Sequence, residues 1–211
     1  MTPSNPPLSV ERERQLVTLV QRGDRGAMGE LLWAYHKRIY HTCLRMVGNA
    51  SDAADLAQDT FMKAVQHVDS FEGGSRFSTW LFRIAVNVSI SHLRKAKLRR
   101  SASLDQDTAG DGDDQASPLK TIIASDREPA AEQRVENSEQ VERLLEALET
   151  LDYNLRSVIV LRDLQGMDYQ EIAEVLAVPV GTVKSRLFRA RLALRQAVSE
   201  HRSPGDEASH E

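Results

Sequence analysis

The sequence predicts an all-α protein, with two small helical domains joined by a flexible acidic linker. Apolar residues recur at helical spacing along most of the chain, and few segments alternate as strands do. Residues 101–135 differ in composition, with eight Asp or Glu against three Lys or Arg. A helix-turn-helix pattern occupies residues 168–195. Together these observations predict domains at 10–100 and 136–200, a linker at 101–135 and a disordered tail at 201–211.

Length and composition exclude several classes of protein. The 211 residues, 41% of them apolar, suffice for one or two domains. No apolar stretch is long enough to span a membrane, and no signal peptide is recognisable, so we expect a cytoplasmic protein without membrane insertion. The single cysteine, Cys43, excludes an internal disulfide. No catalytic motif or metal-ligand spacing is present, so we predict no enzyme activity, no metal and no cofactor.

Three helices are predicted before residue 70. Ser9, Asp24 and Ser51 are the expected N-caps. The third helix has an apolar side, which we expect to face inward, with Leu56, Phe61 and Val65. Its polar side consists of Asp52, Asp55, Gln58 and Asp59. These residues either stabilise a helix N-terminus, where acids are favourable, or form a docking surface for a basic partner.

A long basic helix is predicted next, beginning at Ser75 or Ser78 after the flexible pair Gly73–Gly74. Arg83, Asn87, Ser91 and Arg94 recur on one side of it. Aromatic residues, including Phe77 and Trp80, accompany these cations. Such a mixture suits single-stranded DNA, whose bases stack on rings while cations follow the phosphates. Burial in the core is the alternative role for each ring.

The helix-turn-helix begins at Asp168, where Glu171 completes a capping box. Ala177 and Val178 form the turn, and Pro179 is expected in the first turn of the second helix. That helix buries Val183, Leu187, Ala190 and Leu194 on one side. The opposite side carries Thr182, Ser185, Arg186 and Arg189, with Lys184 beside it. The pattern favours a recognition helix in the major groove, although a solvated charged face would share it.

Three motifs together resemble the extracytoplasmic-function (ECF) class of bacterial sigma factors, from about Leu16 to Val198. DAADLAQDTFMKAV resembles the polymerase-binding segment of this family, and RFSTWLFRIAVNVSISHLRK its segment for promoter melting and −10 recognition. The stretch from Leu148 to Arg195 resembles its −35-binding domain. The resemblance implies a factor that directs promoter-specific initiation by RNA polymerase. Its implied partners are core polymerase, promoter DNA and, as is frequent in the family, an anti-sigma factor.

The resemblance also implies roles for individual residues. The polymerase-binding residues would be Asp52, Asp55, Gln58 and Asp59. The −10 element would be bound by Phe77, Trp80, Arg83, Asn87 and Arg94. The −35 element would be bound by Thr182, Lys184, Ser185, Arg186 and Arg189.

The chain departs from the family pattern at Ala54, where Glu is frequent, and at Ser91, where Asp is common. Ala177 replaces a frequent turn glycine, which strains the turn if φ is positive there.

Two other functions are alternatives to a sigma factor. A simple helix-turn-helix repressor or activator leaves the basic middle helix unexplained. An adaptor that binds polymerase without DNA has no need for Arg186 and Arg189.

Overall fold

The computed structural model describes residues 8–104 and 146–200, and every secondary-structure element within these ranges is helical. The first domain contains α1 (Val10–Gln21), α2 (Arg25–Val47), α3 (Ala50–His67) and α4 (Phe77–Leu104). The second contains α5 (Tyr153–Ile159), a π-helical turn (Val160–Leu164), α6 (Tyr169–Leu176) and α7 (Val180–Glu200), preceded by helical residues 146–150. The predicted all-α class with two helical domains is therefore confirmed.

One of the predicted boundaries changes. Helix α4 continues to Leu104 and so includes the first four residues of the predicted linker 101–135. The rest of that linker and the predicted tail 201–211 lie outside the described residues. Among the described helices, none is long and apolar enough to cross a membrane.

The predicted N-caps Ser9 and Asp24 are present, but the cap of α3 is Asn49 rather than Ser51. The Asn49 side chain accepts a hydrogen bond from the Asp52 amide at 3.0 Å. Asn49 has extended backbone angles, as an N-cap requires, whereas Ser51 already lies inside the helix. The N-cap of α3 therefore lies two residues earlier than predicted.

The start of α4 depends on a residue from α1 rather than on Ser75 or Ser78. Glu13 is only 2% exposed, and one of its carboxylate oxygens lies 3.5 Å from the Ser78 amide. Glu13 also accepts a hydrogen bond from the Tyr35 hydroxyl and lies 3.7 Å from Arg76. Burial and this hydrogen bond raise the pKa of Tyr35, which stays protonated. One buried carboxylate thus connects α1, α2 and the first turn of α4.

The two domains pack against each other, with α4 between the other helices of the first domain and α6 of the second. Arg156 on α5 is 7% exposed and donates hydrogen bonds to the carbonyls of Met46, Glu149 and Leu151. Its bond to Met46 caps the C-terminal end of α2, where a cation is favourable. Gly48 ends that helix with φ +76°, and Glu149 packs where a side chain of any other residue would project.

Replacement of Glu13 by Gln is expected to lower the free energy of unfolding by about 2 kcal/mol, because a buried charged acceptor is lost. The variant loses its ion pair with Arg76 and keeps only one acceptor oxygen for the Tyr35 hydroxyl and the Ser78 amide. Chemical denaturation of both proteins measures the difference.

The matched control is Glu11→Gln, in the first turn of the same helix but exposed. This change is expected to alter stability by no more than about 0.5 kcal/mol. Equal stability losses in the two variants would show that the buried network does not position α4.

Candidate functional site

The first helix of the helix-turn-helix, α6, begins with the predicted capping box. The Asp168 carboxylate accepts hydrogen bonds from the amides of Gln170 and Glu171, at 2.8 and 2.9 Å. The Glu171 side chain accepts one from the Asp168 amide at 2.9 Å. Ile172 and Val175 are buried, so the helix is fixed on the core by its apolar side. The local sequence alone therefore sets where this motif begins.

The turn of the motif is left-handed at Ala177, with φ 51° and ψ 48°. The Val178 amide donates to the Ala173 carbonyl at 3.1 Å, and the Ala177 amide to that of Glu174 at 3.4 Å. These two bonds form a Schellman motif, in which the left-handed position usually holds glycine. The backbone strain predicted for this turn is therefore present.

The second helix, α7, begins at Val180, one residue later than predicted, with Pro179 immediately before it. The Pro179 carbonyl accepts from the amides of Thr182 and Val183, at 2.8 and 3.2 Å. Proline remains compatible with this position because no hydrogen bond requires its missing amide proton. Val183, Leu187 and Ala190 are buried as predicted, and Leu194 is partly buried. Their burial fixes which side of α7 faces solvent.

The structure places the five residues predicted to bind the −35 element on the solvent side of α7. Lys184, Ser185 and Arg189 are exposed, while Thr182 and Arg186 are half-buried. The Ser185 hydroxyl donates to the Thr182 carbonyl at 3.0 Å, so it is oriented by its own helix. The Lys184 ammonium lies 5.9 Å from the centre of the Tyr169 ring, which draws it toward α6. Arg186 and Arg189 are thus the long side chains of this set that no described contact draws toward α6.

Sequence reasoning missed two features of α7. Phe188 is 70% and Leu192 49% exposed, one helical turn apart, and they form an apolar pair beside the basic residues. Arg191, a further cation of this helix, is paired with Asp163 at 2.6 Å, and this hydrogen bond raises its pKa. An exposed apolar pair of this kind fits contact with a protein better than contact with phosphates.

In the first domain, the aromatic residues near the start of α4 form a cluster. The Trp80 ring lies 5.4 Å from the rings of both Phe71 and Phe77. Phe77 is only 2% exposed and packs on Tyr35, so it has no face available for a base, contrary to its predicted role in DNA binding. Trp80 remains half-buried. Phe77 therefore supports Trp80 from the core.

The remaining predicted −10 residues differ in their surroundings. Asn87 is exposed and lines a cleft between α3 and α4 together with Ser91 and Lys95. Arg83 is half-buried, and its Nε is buried without a hydrogen-bond partner among the described residues. Arg94 contacts Tyr153 of the second domain, with its guanidinium 5.2 Å from the ring centre.

The four polar residues of α3 do not share one surface. Gln58 lines a groove toward α2, whereas Asp59 lines the α3–α4 cleft with Asn87. Asp52 lies 3.3 Å from His92 of α4. Asp55 is exposed. The acidic side of α3 therefore faces both a groove and the predicted −10 surface.

The groove between α2 and α3 has a volume of about 690 Å³ and a mainly apolar lining. Val65, which we expected to face inward, is 49% exposed here, and Phe61 is only partly buried. Met62 beside them is 52% exposed. Sequence reasoning missed the groove because apolar spacing on a helix predicts which residues share a side but not whether that side is covered.

Comparison with known proteins identifies the family of both domains. Residues 31–99 match the Sigma-70 region 2 family and residues 141–194 match Sigma-70 region 4. The chain is 36% identical over 200 residues to the RNA polymerase sigma-H factor of Pseudomonas aeruginosa, covering 90% of this chain and 96% of that protein. It is 35% identical over 187 residues to the ECF sigma factor SigW of Bacillus subtilis, covering 89% and 97%. The chain belongs to the ECF class of the sigma-70 family and is a non-enzymatic factor for transcription initiation.

Solved structures give the same fold. The chain is similar to CnrH in complex with the cytosolic domain of CnrY, with a TM-score of 0.63, 25% identity and coverage of 90% of this chain and 99% of that one. It is also similar to the sigma factor RpoE in complex with the anti-sigma factor NepR from Bartonella quintana. That match has a TM-score of 0.61 and 26% identity, and covers 82% of this chain and 98% of that one.

Replacement of Ala177 by Gly is expected to stabilise the protein by roughly 0.5 kcal/mol. Relief of the left-handed strain, about 1 kcal/mol, exceeds the extra entropy that glycine has in the unfolded chain. Thermal and chemical unfolding measure the effect.

Ala173→Gly, in the interior of α6, is the control and is expected to lower the free energy of unfolding by about 1 kcal/mol. A loss of stability in Ala177→Gly would mean that the turn carries no strain.

Proposed function

We propose that this sigma factor recognises the −35 element with α7 and the −10 element with α4, and that it binds core polymerase through α2 and α3. The observation that supports this assignment best is α7. Its exposed face carries Arg186 and Arg189 with Thr182 and Ser185, while the opposite face is buried in the core. Such a helix can enter the major groove without rearrangement of its own domain.

Within α7, base recognition is assigned to Arg186 and Arg189. An arginine can donate two hydrogen bonds to the acceptors of a guanine in the major groove. Lys184 is a point charge beside Tyr169 and is better suited to a phosphate, which positions the helix without specifying sequence. Thr182 and Ser185 are short donors near the helix start, where bases and phosphates both come within reach.

Arg186→Ala is expected to change the preferred base at one position of the −35 element, with a loss of about 1–3 kcal/mol on the original base. Lys184→Ala should weaken binding to all sequences alike and lower the salt-dependence slope by about 1. Binding to single-base promoter variants at two salt concentrations measures both effects. A uniform loss for Arg186→Ala would assign that residue to the backbone instead.

For the −10 element, we assign Trp80, Arg83, Asn87 and Arg94, without Phe77. Trp80 is held by a buried aromatic cluster and offers a rigid surface for an unstacked base. Arg94 contacts Tyr153 of the second domain, and the Arg83 Nε is buried. The domains are therefore expected to separate before Arg94 contacts DNA.

Polymerase binding is assigned to the apolar groove together with the acidic residues of α3. The groove offers Met62 and Val65 to an apolar partner surface, and Gln58 lines it. Asp55 and Asp59 are exposed on the same helix and supply further polar contacts. An apolar centre with a polar rim is typical of protein interfaces. Phe188 and Leu192 on α7 form a smaller apolar surface for a second protein contact.

The triple variant Asp55→Ala, Gln58→Ala and Asp59→Ala is expected to weaken binding to core polymerase by about tenfold, with little effect on folding. The control is Glu11→Ala with Asp69→Ala, which removes the same number of charges from exposed positions elsewhere. Equilibrium binding to purified core polymerase measures both variants. Unchanged binding of the triple variant would show that these three residues form a solvated surface without a role in polymerase binding.

An anti-sigma factor is a further proposed partner. The similar structures of CnrH and RpoE are complexes with CnrY and with the anti-sigma factor NepR. A sigma factor acts with core polymerase in the bacterial cytoplasm, so we place this chain and the region of the regulator that binds it there.

Run-off transcription with reconstituted holoenzyme tests the proposed function as a whole. The absence of a promoter-specific transcript would contradict it.

A further inference from the structure

A second cleft, of about 700 Å³, separates the two domains. On the first-domain side, it is lined by three cationic residues of α2, Lys37, Arg38 and Arg45, and by Arg76 from the turn before α4. The second domain contributes Gln165 and Glu171. None of these cations has a role in the proposed DNA or polymerase contacts.

The charge of this cleft is opposite to that of the chain. Four cationic side chains meet two carboxylates, Glu171 in the lining and the buried Glu13 at 3.7 Å from Arg76, which gives a local charge of +2 with His41 neutral. The whole chain has a formal charge of −4. General attraction of anions to this protein is therefore weak, and anion binding would depend on the local field of the cleft.

Arg45 gives an independent indication of an anionic ligand. It is half-buried, and among the described residues it has neither an ion pair nor a hydrogen bond. Burial lowers its pKa, and no neighbouring charge offsets the effect. An unpaired charge that has lost part of its water is costly, and a bound anion would compensate for that cost.

Arg38 is oriented toward the same space. Its Nε donates to the Gln165 side chain at 3.0 Å, and its guanidinium lies 4.9 Å from the centre of the Phe82 ring. These contacts fix the plane of the guanidinium while its Nη1 makes no hydrogen bond among the described residues. A guanidinium held in this way matches the oxygens of a phosphate group.

We propose that the interdomain cleft binds a small molecule that carries two or more phosphate groups. The volume lies in the range of small-molecule sites, and the lining is unusually cationic for one. Three of its cations, Lys37, Arg38 and Arg45, make no ion pair among the described residues, and three such charges suit several linked phosphates better than one. Because residues of both domains line the site, the ligand would stabilise their packing. This inference does not depend on the proposed promoter contacts.

Calorimetric titration of the full-length chain with sodium tripolyphosphate, at constant ionic strength, tests the proposal. We expect one site per chain and an increase in Tm that grows with ligand concentration. Arg45→Gln and Arg38→Gln should each weaken binding by about tenfold, the effect of one charge-assisted hydrogen bond. Because Arg38 packs on Phe82, the more exposed Lys37→Gln provides a third variant if Arg38→Gln does not fold.

The matched controls are Lys63→Gln and Lys95→Gln, which remove one positive charge each from the α3–α4 cleft. They should bind tripolyphosphate as the unmodified chain does. Equal losses in controls and cleft variants would show an adventitious ion only and would overturn the proposal. Absence of binding would overturn it too, as would preference for a short polyglutamate peptide over tripolyphosphate.

Discussion

The buried carboxylate of Glu13 is the interaction on which the first domain depends most. It accepts from the Tyr35 hydroxyl, approaches the Ser78 amide and lies near Arg76, so that three helices meet at one acceptor. A buried charge is tolerated only when it is paired and hydrogen-bonded, and here all its partners come from other elements. The position of α4 follows from this network, and with it the orientation of Trp80 and the surface assigned to the −10 element.

Helix α4 also connects the two halves of the molecule. One side packs on α2 and α3 and another on α6. Arg156 strengthens this arrangement by capping the end of α2 from the second domain. The exposed face of α7 is available in the same arrangement, whereas Arg94 is in contact with Tyr153. The two surfaces proposed for DNA binding are therefore unequally accessible when the domains are packed together.

The net charge of −4 describes no single surface of this protein. The acidic residues of α3, the basic face of α7 and the cationic cleft each have their own local field, and a partner responds to that field because more distant charges are screened. Apolar surface is distributed in a similar way. Met62 and Val65 on one domain and Phe188 on the other remain exposed. Each lies beside charged residues, as expected of surfaces that bind proteins or nucleic acids.

The sequence alone determined the local features. Capping residues and apolar periodicity defined most helices, and the Asp168–Glu171 capping box and the Ala177 turn followed from adjacent residues. Only the tertiary structure decided how helix surfaces combine. It buried Phe77, exposed Val65, divided the acidic side of α3 between two clefts and started α4 through a carboxylate from α1. The reason is physical: caps and helical sides depend on residues within a few positions, whereas burial and the pairing of charges depend on neighbours distant in sequence.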